Sequence, residues 1–192
     1  MQKYKAIKRF FDIFLCITLI IGASLPMVII AIMVKCSSEG PVLFWSKRVG
    51  RINQIFLMPK FRTMLIDTPS VATHLLHVPA DHLTPVGAFL RKSSLDELPQ
   101  LWNILIGDMT FVGPRPALFN QYDLIALRTQ SGVDMLVPGL TGWAQVNGRD
   151  DLSITQKVAL DFEYMQRKSL RFDFTILLMT ILKVLKRDGV SH

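Results

Sequence analysis

The hydrophobic and polar positions divide the chain into a long apolar segment near the N-terminus and a mixed region after it. The 22 residues from Ile13 to Val34 include no charged side chain. Wound as an α-helix, this run is about 33 Å long, which is enough to cross the hydrocarbon core of a bilayer. It is longer than a usual signal-peptide core, and no Ala-x-Ala cleavage site follows it. The pattern therefore predicts a membrane segment.

Three features favour a helix that dips into the membrane and returns over a straight span. Three residues that promote kinks, Gly22, Ser24 and Pro26, lie in the middle of the run. Each half is then about 11 residues, roughly 16 Å or one leaflet deep. Both flanks are basic, and the positive-inside rule places such flanks on the cytoplasmic side. We predict a re-entrant helix broken at Ser24 and Pro26, with a straight span as the alternative.

A charged motif, Lys8-Arg9-x-x-Asp12, directly precedes the apolar run. We expect Asp12 to neutralise the charge of Lys8 and Arg9 at the membrane interface. The predicted organisation is a membrane-embedded unit with its basic flank over residues 1–36, followed by one continuous cytoplasmic unit over residues 37–192.

Shorter elements are predicted in the mixed region. Val42–Trp45 and Gln54–Met58 have strand-like composition around a turn at Gly50–Asn53, which indicates a β-hairpin. Helical patterns are predicted at residues 70–76, 99–106, 118–129, 154–166 and 172–185. The last of these is strongly apolar and suits either the core or the membrane interface. The predicted fold class is α+β, mainly helical with a small β-hairpin, a re-entrant membrane helix and interfacial amphipathic helices.

Composition agrees with a membrane-associated protein of one domain. Hydrophobic residues make up 50% of the 192 residues, so part of the apolar excess should face a membrane. The formal charge of +7 favours anionic partners such as phospholipid head groups, nucleotides or nucleic acid. Nucleic acid is disfavoured because the sequence has no recognised binding module and an apolar N-terminus. Two cysteines give no disulfide framework, which indicates a reducing, cytosolic environment.

The strongest candidate for chemistry is the pair of adjacent carboxylates Asp96 and Glu97, which lies just before an apolar helical run. Ser94-x-x-Glu97 is also a capping box, in which both side chains only satisfy backbone donors. A helix capped at Ser94 would carry Pro99 past its first turn, where proline is disfavoured. A helix that starts at Pro99 is favoured, and it leaves Asp96 and Glu97 just outside its N-terminus.

Basic residues that suit a diphosphate occur in three places. Arg48, Lys60 and Arg62 lie on and around the predicted hairpin, where a solvated or lipid-facing patch is the alternative. Arg115 lies between two prolines, which limits where its guanidinium points, although an ordinary proline-rich turn has the same pattern. Arg149 ends a glycine-rich run that allows close approach of the backbone to a ligand.

Several of these stretches, taken together and in order, resemble the bacterial sugar transferases. These are the monotopic polyprenyl-phosphate phosphoglycosyl transferases, here in their minimal single-domain form. The resemblance covers nearly the whole chain and rests on Lys8-Arg9-x-x-Asp12, Lys60-Phe61-Arg62-Thr63-Met64, Ser94-Leu95-Asp96-Glu97-Leu98-Pro99-Gln100, Gly113-Pro114-Arg115-Pro116, and the run from Pro138 to Arg149. The family often has adjacent Ser-Pro at the helix break, whereas Leu25 separates the two residues here.

The resemblance implies transfer of a sugar 1-phosphate from a UDP-sugar to a polyprenyl phosphate such as undecaprenyl phosphate, with release of UMP. It implies Asp96 as the nucleophile that forms a covalent phosphosugar intermediate, and Glu97 as the ligand of a required Mg²⁺. The implied setting is the cytoplasmic face of the bacterial inner membrane, among phospholipids. There the product would begin the assembly of O-antigen, capsule or exopolysaccharide and pass to downstream glycosyltransferases.

Elementary electrostatics agrees with these roles. At 4 Å, two unit negative charges repel by about 4 kcal/mol at an effective dielectric of 20, so a carboxylate needs screening to reach a diphosphate. Mg²⁺ and basic side chains supply that screening. We expect phosphate contacts from Arg48, Lys60, Arg62, Arg115 and Arg149.

Two other classes of protein compete with this interpretation. A non-catalytic lipid-binding protein of the membrane surface explains the charge and the apolar segment. It leaves the two arginine motifs rich in glycine and proline unexplained. A phosphatase with an aspartyl nucleophile is disfavoured because the sequence has no Asp-x-Asp-x-Thr motif. Magnesium-dependent release of UMP separates the transferase from both.

Overall fold

The computed structural model describes residues 2–69, 79–148 and 151–186. Its helices are α1 (Gln2–Ser37), α2 (Gly87–Ser93), α3 (Leu101–Ile106), α4 (Tyr122–Gln130), α5 (Trp143–Val146), α6 (Ile154–Arg167) and α7 (Leu170–Lys186). Its strands are β1 (Leu43–Val49), β2 (Ile55–Phe61), β3 (Thr110–Val112), β4 (Ala117–Leu118) and β5 (Gly139–Thr141). The helix predicted at 70–76 and the predicted phosphate ligand Arg149 lie outside the described residues. The α+β, mainly helical fold class is confirmed.

Helix α1 contains the predicted membrane segment and is, among the described residues, the one helix long and apolar enough to cross a bilayer. Helical geometry continues through Ser24 and Pro26, so the predicted break does not interrupt the helix. The Ser24 hydroxyl donates to the carbonyl of Ile21 at 2.8 Å, because a serine inside a helix can bond to the preceding turn. Most apolar side chains between Ile17 and Ile29 are exposed, which leaves them available to lipid.

Both halves of α1 pack against the rest of the protein. In the first half Cys16 is fully buried, and its thiol donates to the carbonyl of Leu101 at 3.1 Å. In the second half Ile30 and Val34 join a buried cluster that includes Phe61. The two ends of the apolar segment therefore contact the same folded body.

Four charged residues form what we call the α1 anchor: Lys8, Arg9 and Asp12 on α1, and Asp173 on α7. Lys8 pairs with Asp173 at 2.8 Å, and Arg9 donates to two carbonyls at the end of α3. Asp12 is buried and accepts from the Thr110 hydroxyl at 2.7 Å. The expectation that Asp12 neutralises Lys8 and Arg9 was wrong, because residues spaced along one helix here turn toward different partners in the folded body.

The predicted hairpin is confirmed, with longer strands. Strands β1 and β2 pair in antiparallel register from Leu43 opposite Phe61 to Val49 opposite Ile55, around a tight turn at Arg51–Asn53. Strand β4 adds antiparallel to the other side of β1. A separate parallel pair joins β3 to β5. Strands β3, β4 and β5 were not predicted, because two or three residues are too few to show a strand pattern.

The main core is formed where α1, α3, α7 and the short strands meet. Its buried members include Met58, Ile104, Phe111 and Ile176. Helix α7 belongs partly to the core, since Phe172 and Ile176 are buried whereas other apolar side chains on it are exposed. Contact of the exposed side chains with a membrane interface stays a prediction. Trp102 lies on the outer side of the short helix α3 and is 54% exposed.

Candidate active site

The carboxylate pair lies in a 3₁₀ turn, Leu95–Gln100, that leads into α3. The turn starts directly after Ser94, whose φ of 56° is left-handed and ends α2. The expected start of a helix at Pro99 was wrong, because winding already begins at Leu95. The capping-box alternative is not formed either, since Ser94 makes no side-chain cap hydrogen bond. Asp96 and Glu97 are thus held within a short turn, with partners from other elements.

Three cations surround the pair. Lys60 from β2 places its Nζ 2.7 Å from Glu97 Oε1 and 3.8 Å from Asp96 Oδ2. Arg115, between β3 and β4, places Nη2 2.6 Å from the same Glu97 oxygen. Arg48 lies next to them on β1, and its charge interacts with those of Arg115 and Glu97. We call these five residues the carboxylate–cation cluster.

The two carboxylates of the cluster differ in their electrostatics. Burial alone would raise the pKa of Glu97, but the charges and hydrogen bonds of Arg115 and Lys60 hold it well below its usual range. Burial raises the pKa of Asp96, and the charge of Glu97 adds to this, while Lys60 opposes it. Glu97 is therefore a firmly ionised anchor for cations. Asp96 is the more basic carboxylate and the one less tightly held by Lys60, which suits a nucleophile.

Burial lowers the pKa values of the cations, whereas it raises those of the carboxylates. Burial lowers the pKa of Lys60, although the charges of Glu97 and Asp96 oppose this. Burial also lowers the pKa of Arg48 to about 10, and the charge of Arg115 adds to it. Three cations against two carboxylates leave a surplus of positive charge, which suits an anionic ligand such as a diphosphate.

The donor set of the cluster fits Mg²⁺ in one specific way. The described residues include no group of three or more His, Cys, Asp or Glu side chains placed to hold a metal ion. Mg²⁺ is commonly bound by one or two carboxylates together with substrate phosphates and water. Glu97 supplies one such carboxylate, so the site suits a magnesium ion that arrives with a phosphate substrate.

Arg62 is engaged away from the predicted phosphate site. Its guanidinium donates to the carbonyls of Ser38 and Glu39, in the segment that follows α1. Strand β2 ends at Phe61, so the side-chain alternation that would align Arg62 with Lys60 does not continue. In place of the predicted phosphate contact, Arg62 links the segment that follows α1 to the end of the hairpin.

Sequence reasoning missed Arg91 as a neighbour of the carboxylate pair. Arg91 is in the last turn of α2, and its positive charge lowers the pKa of Asp96. The sequence shows that Arg91 lies five residues before Asp96. It gives no sign of the left-handed conformation at Ser94, which changes the chain direction between the two residues.

Comparison with known proteins places the chain within a family. The model of the family described as "Bacterial sugar transferase" matches residues 3–187. The chain is 38% identical over 187 residues to "Uncharacterized sugar transferase EpsL" of Bacillus subtilis, covering 97% of this chain and 91% of that protein.

Two further relatives have more specific names. One is "UDP-glucose:undecaprenyl-phosphate glucose-1-phosphate transferase" of Xanthomonas campestris pv. campestris, 38% identical over 182 residues. That match covers 91% of this chain but only 38% of the relative, so the chain spans well under half of that protein. The other is "Exopolysaccharide production protein ExoY" of Rhizobium meliloti, 37% identical over 195 residues, covering 91% of this chain and 83% of that protein.

Proposed function

The chain belongs to the bacterial sugar transferase family, and on that basis we propose that it transfers a sugar 1-phosphate from a UDP-sugar to undecaprenyl phosphate. The observation that carries the proposal is the carboxylate–cation cluster. It places the buried carboxylate of Asp96, the proposed nucleophile, beside a surplus of positive charge, which supports transfer from a diphosphate.

The proposed reaction has two displacements at one phosphorus. An Asp96 carboxylate oxygen attacks the phosphorus that carries the sugar, the bond to the UMP oxygen breaks, and UMP leaves. A phosphate oxygen of the lipid then attacks the same phosphorus, which breaks the bond to Asp96 and forms the polyprenyl-diphosphate-linked sugar. Splitting the transfer in this way lets one site serve a soluble donor and a membrane-held acceptor in turn.

The other residues of the cluster bind and orient the phosphates. Arg115 and Lys60 neutralise Glu97 and lie where the donor diphosphate would add its charge. Arg48 adds a third positive charge beside Arg115. Glu97 is the proposed ligand of Mg²⁺, which when bound would neutralise the diphosphate and the leaving phosphate of UMP.

The contacts of α1 support a re-entrant course through the membrane. Because Cys16 and Val34 are both buried against the same folded body, a helix passing to the far side of the bilayer between them would pull one end away. We therefore propose that the helix enters and leaves on the cytoplasmic face of the inner membrane. The carboxylate pair would then lie near the head-group plane, and the product would start exopolysaccharide, capsule or O-antigen assembly by later glycosyltransferases.

Cysteine labelling tests this topology. Single cysteines at Gln2 and Ser37, introduced after Cys36 is replaced by serine, are expected to react with a membrane-impermeant reagent from the cytoplasmic side. Labelling of the two positions from opposite sides would establish a straight span instead.

The reaction itself is tested by UMP release from purified protein in detergent. The assay contains undecaprenyl phosphate, Mg²⁺ and a panel of UDP-sugars, with EDTA and lipid-free controls. We expect continuous UMP release only when lipid phosphate, Mg²⁺ and one productive donor are present. When the lipid is omitted, we expect no more than one UMP per protein molecule, together with a phosphosugar adduct by intact mass. Absence of both UMP and adduct across a panel that includes rare sugars would favour a non-catalytic lipid-binding surface.

A further inference from the structure

The loop that carries Arg115 is held by its carbonyl groups. Pro114 and Pro116 have no N–H, so the segment has few donors of its own. The carbonyl of Pro114 accepts from Gly139 N at 2.8 Å, and that of Pro116 accepts from Arg48 Nη1 at 3.2 Å. Between them, the carbonyl of Arg115 itself accepts from Arg128 Nη1 at 2.8 Å.

Arg128 is in turn fixed by a buried carboxylate. From α4 its Nε and Nη2 both donate to Asp161 Oδ2 on α6, at 3.0 and 2.6 Å. The Asp161 side chain is 1% exposed and that of Arg128 12%. The guanidinium therefore uses one edge to hold Asp161 and its remaining nitrogen to hold the loop that carries Arg115.

We propose that Arg128, oriented by Asp161, is a positioning residue for the transferase reaction. It fixes the backbone of Arg115 so that the Arg115 guanidinium meets Glu97 and the donor phosphate. The expected effect on kcat rests on the proposed function. The expected effect on the position of Arg115 rests on the contacts alone.

The geometry distinguishes the positioning of Arg115 from an ion pair that only joins α4 to α6. An ion pair joining α4 to α6 needs only the bonds between Arg128 and Asp161. The third bond leaves that pair and reaches the residue that contacts Glu97. Because the opposite charges of Arg128 and Asp161 balance, the pair influences the cluster through position more than through net charge. A planar fork can hold a carboxylate and a carbonyl together, whereas an ammonium on a flexible stem is a poor substitute.

Arg128→Lys is the first test, because lysine keeps the charge pair with Asp161 but not the planar bridge. We expect kcat for UMP release to fall about tenfold to a hundredfold, as small misplacements of a catalytic group do, while the thermal unfolding midpoint changes little. The matched control is Arg51→Lys, since exposed Arg51 also donates to a distant backbone carbonyl, that of Met135, and this bond includes no residue of the cluster. The control should keep kcat within about twofold.

Coupling to Arg115 gives a readout that a merely structural role would not move. In an Arg115→Lys background, adding Arg128→Lys should change kcat by less than about twofold, because the residue that it positions is already altered. A full additional loss of activity would overturn the proposal. If Arg128→Lys fails to fold, Asp161→Asn replaces it. That variant should lower kcat severalfold and is likewise expected to lose its effect in the Arg115→Lys background.

A structure of the Arg128→Lys protein, or of Asp161→Asn, decides the matter independently of turnover. We expect Arg115 Nη2 to lie beyond 4 Å from Glu97 Oε1 in the variant, beyond ion-pair distance. An unchanged contact would overturn the positioning role whatever reaction the protein catalyses. Failure of the wild-type protein to release UMP would overturn the proposed function. The distance between Arg115 and Glu97 in the variant would still test the positioning role.

Discussion

The carboxylate–cation cluster and the α1 anchor both bury acidic and basic side chains, but they balance the charges differently. The cluster sets three cations, Arg48, Lys60 and Arg115, against the carboxylates of Asp96 and Glu97. Two of the cations meet at a single oxygen of Glu97. The result is a site with positive charge to spare.

In the α1 anchor the charges are matched. Its two cations, Lys8 and Arg9, equal its two carboxylates, Asp12 and Asp173, in number. Each of the four has a hydrogen-bond partner in the folded body, at 2.6–2.8 Å. Asp173 accepts from Lys8 at 2.8 Å on one oxygen and from Tyr164 at 2.7 Å on the other. Matched and fully bonded charges hold a helix in place, whereas a surplus of one sign prepares a site for a ligand of the other sign.

The largest effect that the comparison predicts is at Asp96. Asp96→Asn should lower UMP release by at least about a thousandfold, because the amide cannot act as the nucleophile. The protein should remain folded and bound to the membrane, and the phosphosugar adduct should be absent by intact mass. Asp108→Asn, the same change at an exposed position after α3, is the control and should keep normal turnover. Turnover close to wild type in Asp96→Asn would refute the nucleophile assignment.

The next effect is at the arginine that meets Glu97. Arg115→Lys should lower kcat/KM for the donor about tenfold to a hundredfold, because lysine keeps the charge but loses the planar fork. Steady-state kinetics with varied UDP-sugar and fixed lipid phosphate measure it. A change confined to kcat/KM for the lipid acceptor would contradict the assignment of Arg115 to the donor phosphate.

A substitution in the α1 anchor should lower the free energy of unfolding more than it lowers the rate of the reaction. Asp173→Asn leaves Lys8 without its counter-charge, and we expect a loss of about 3 kcal/mol in unfolding free energy. In a chain of this size this lowers the unfolding midpoint by roughly 6–12 °C. The molecules that remain folded should lose far less activity than Asp96→Asn does. An unchanged midpoint with abolished turnover would mean that the anchor belongs to the active site.

The smallest effect is a shift in the pH dependence of kcat. Attack requires ionised Asp96, and burial raises its pKa, so activity should fall with decreasing pH at values above the ordinary aspartate pKa of about 3.9. Glu97 has a lowered pKa and stays ionised over that range, so the acid limb belongs to Asp96. The charge of Lys60 lowers the pKa of Asp96, and Lys60→Gln should therefore move the limb to higher pH. A limb that does not move, or moves to lower pH, would contradict this electrostatic account.

Much of this organisation could be predicted from local sequence signals. The uncharged run predicted α1, strand-like composition around a turn predicted the hairpin, and α6 has the predicted start at Ile154. The structure adds the cap of this helix, a capping box formed by Ser153 and Gln156. The adjacent carboxylates were singled out because they lie just before an apolar helical run, where a helix start at Pro99 would leave both outside the helix. These features depend on residues close together in the chain.

The partners of those carboxylates were decided only by the tertiary structure. Lys60 and Arg62 are two residues apart, yet Lys60 reaches Glu97 while Arg62 turns to the segment after α1. Arg91 and Arg115 approach from opposite directions along the chain. Sequence spacing specifies which side chains share a strand or a helix face, but strand ends and left-handed turns set where each chain segment goes next. The sequence by itself therefore determined the membrane helix, the hairpin and the acidic pair, and long-range packing determined which cations neutralise that pair.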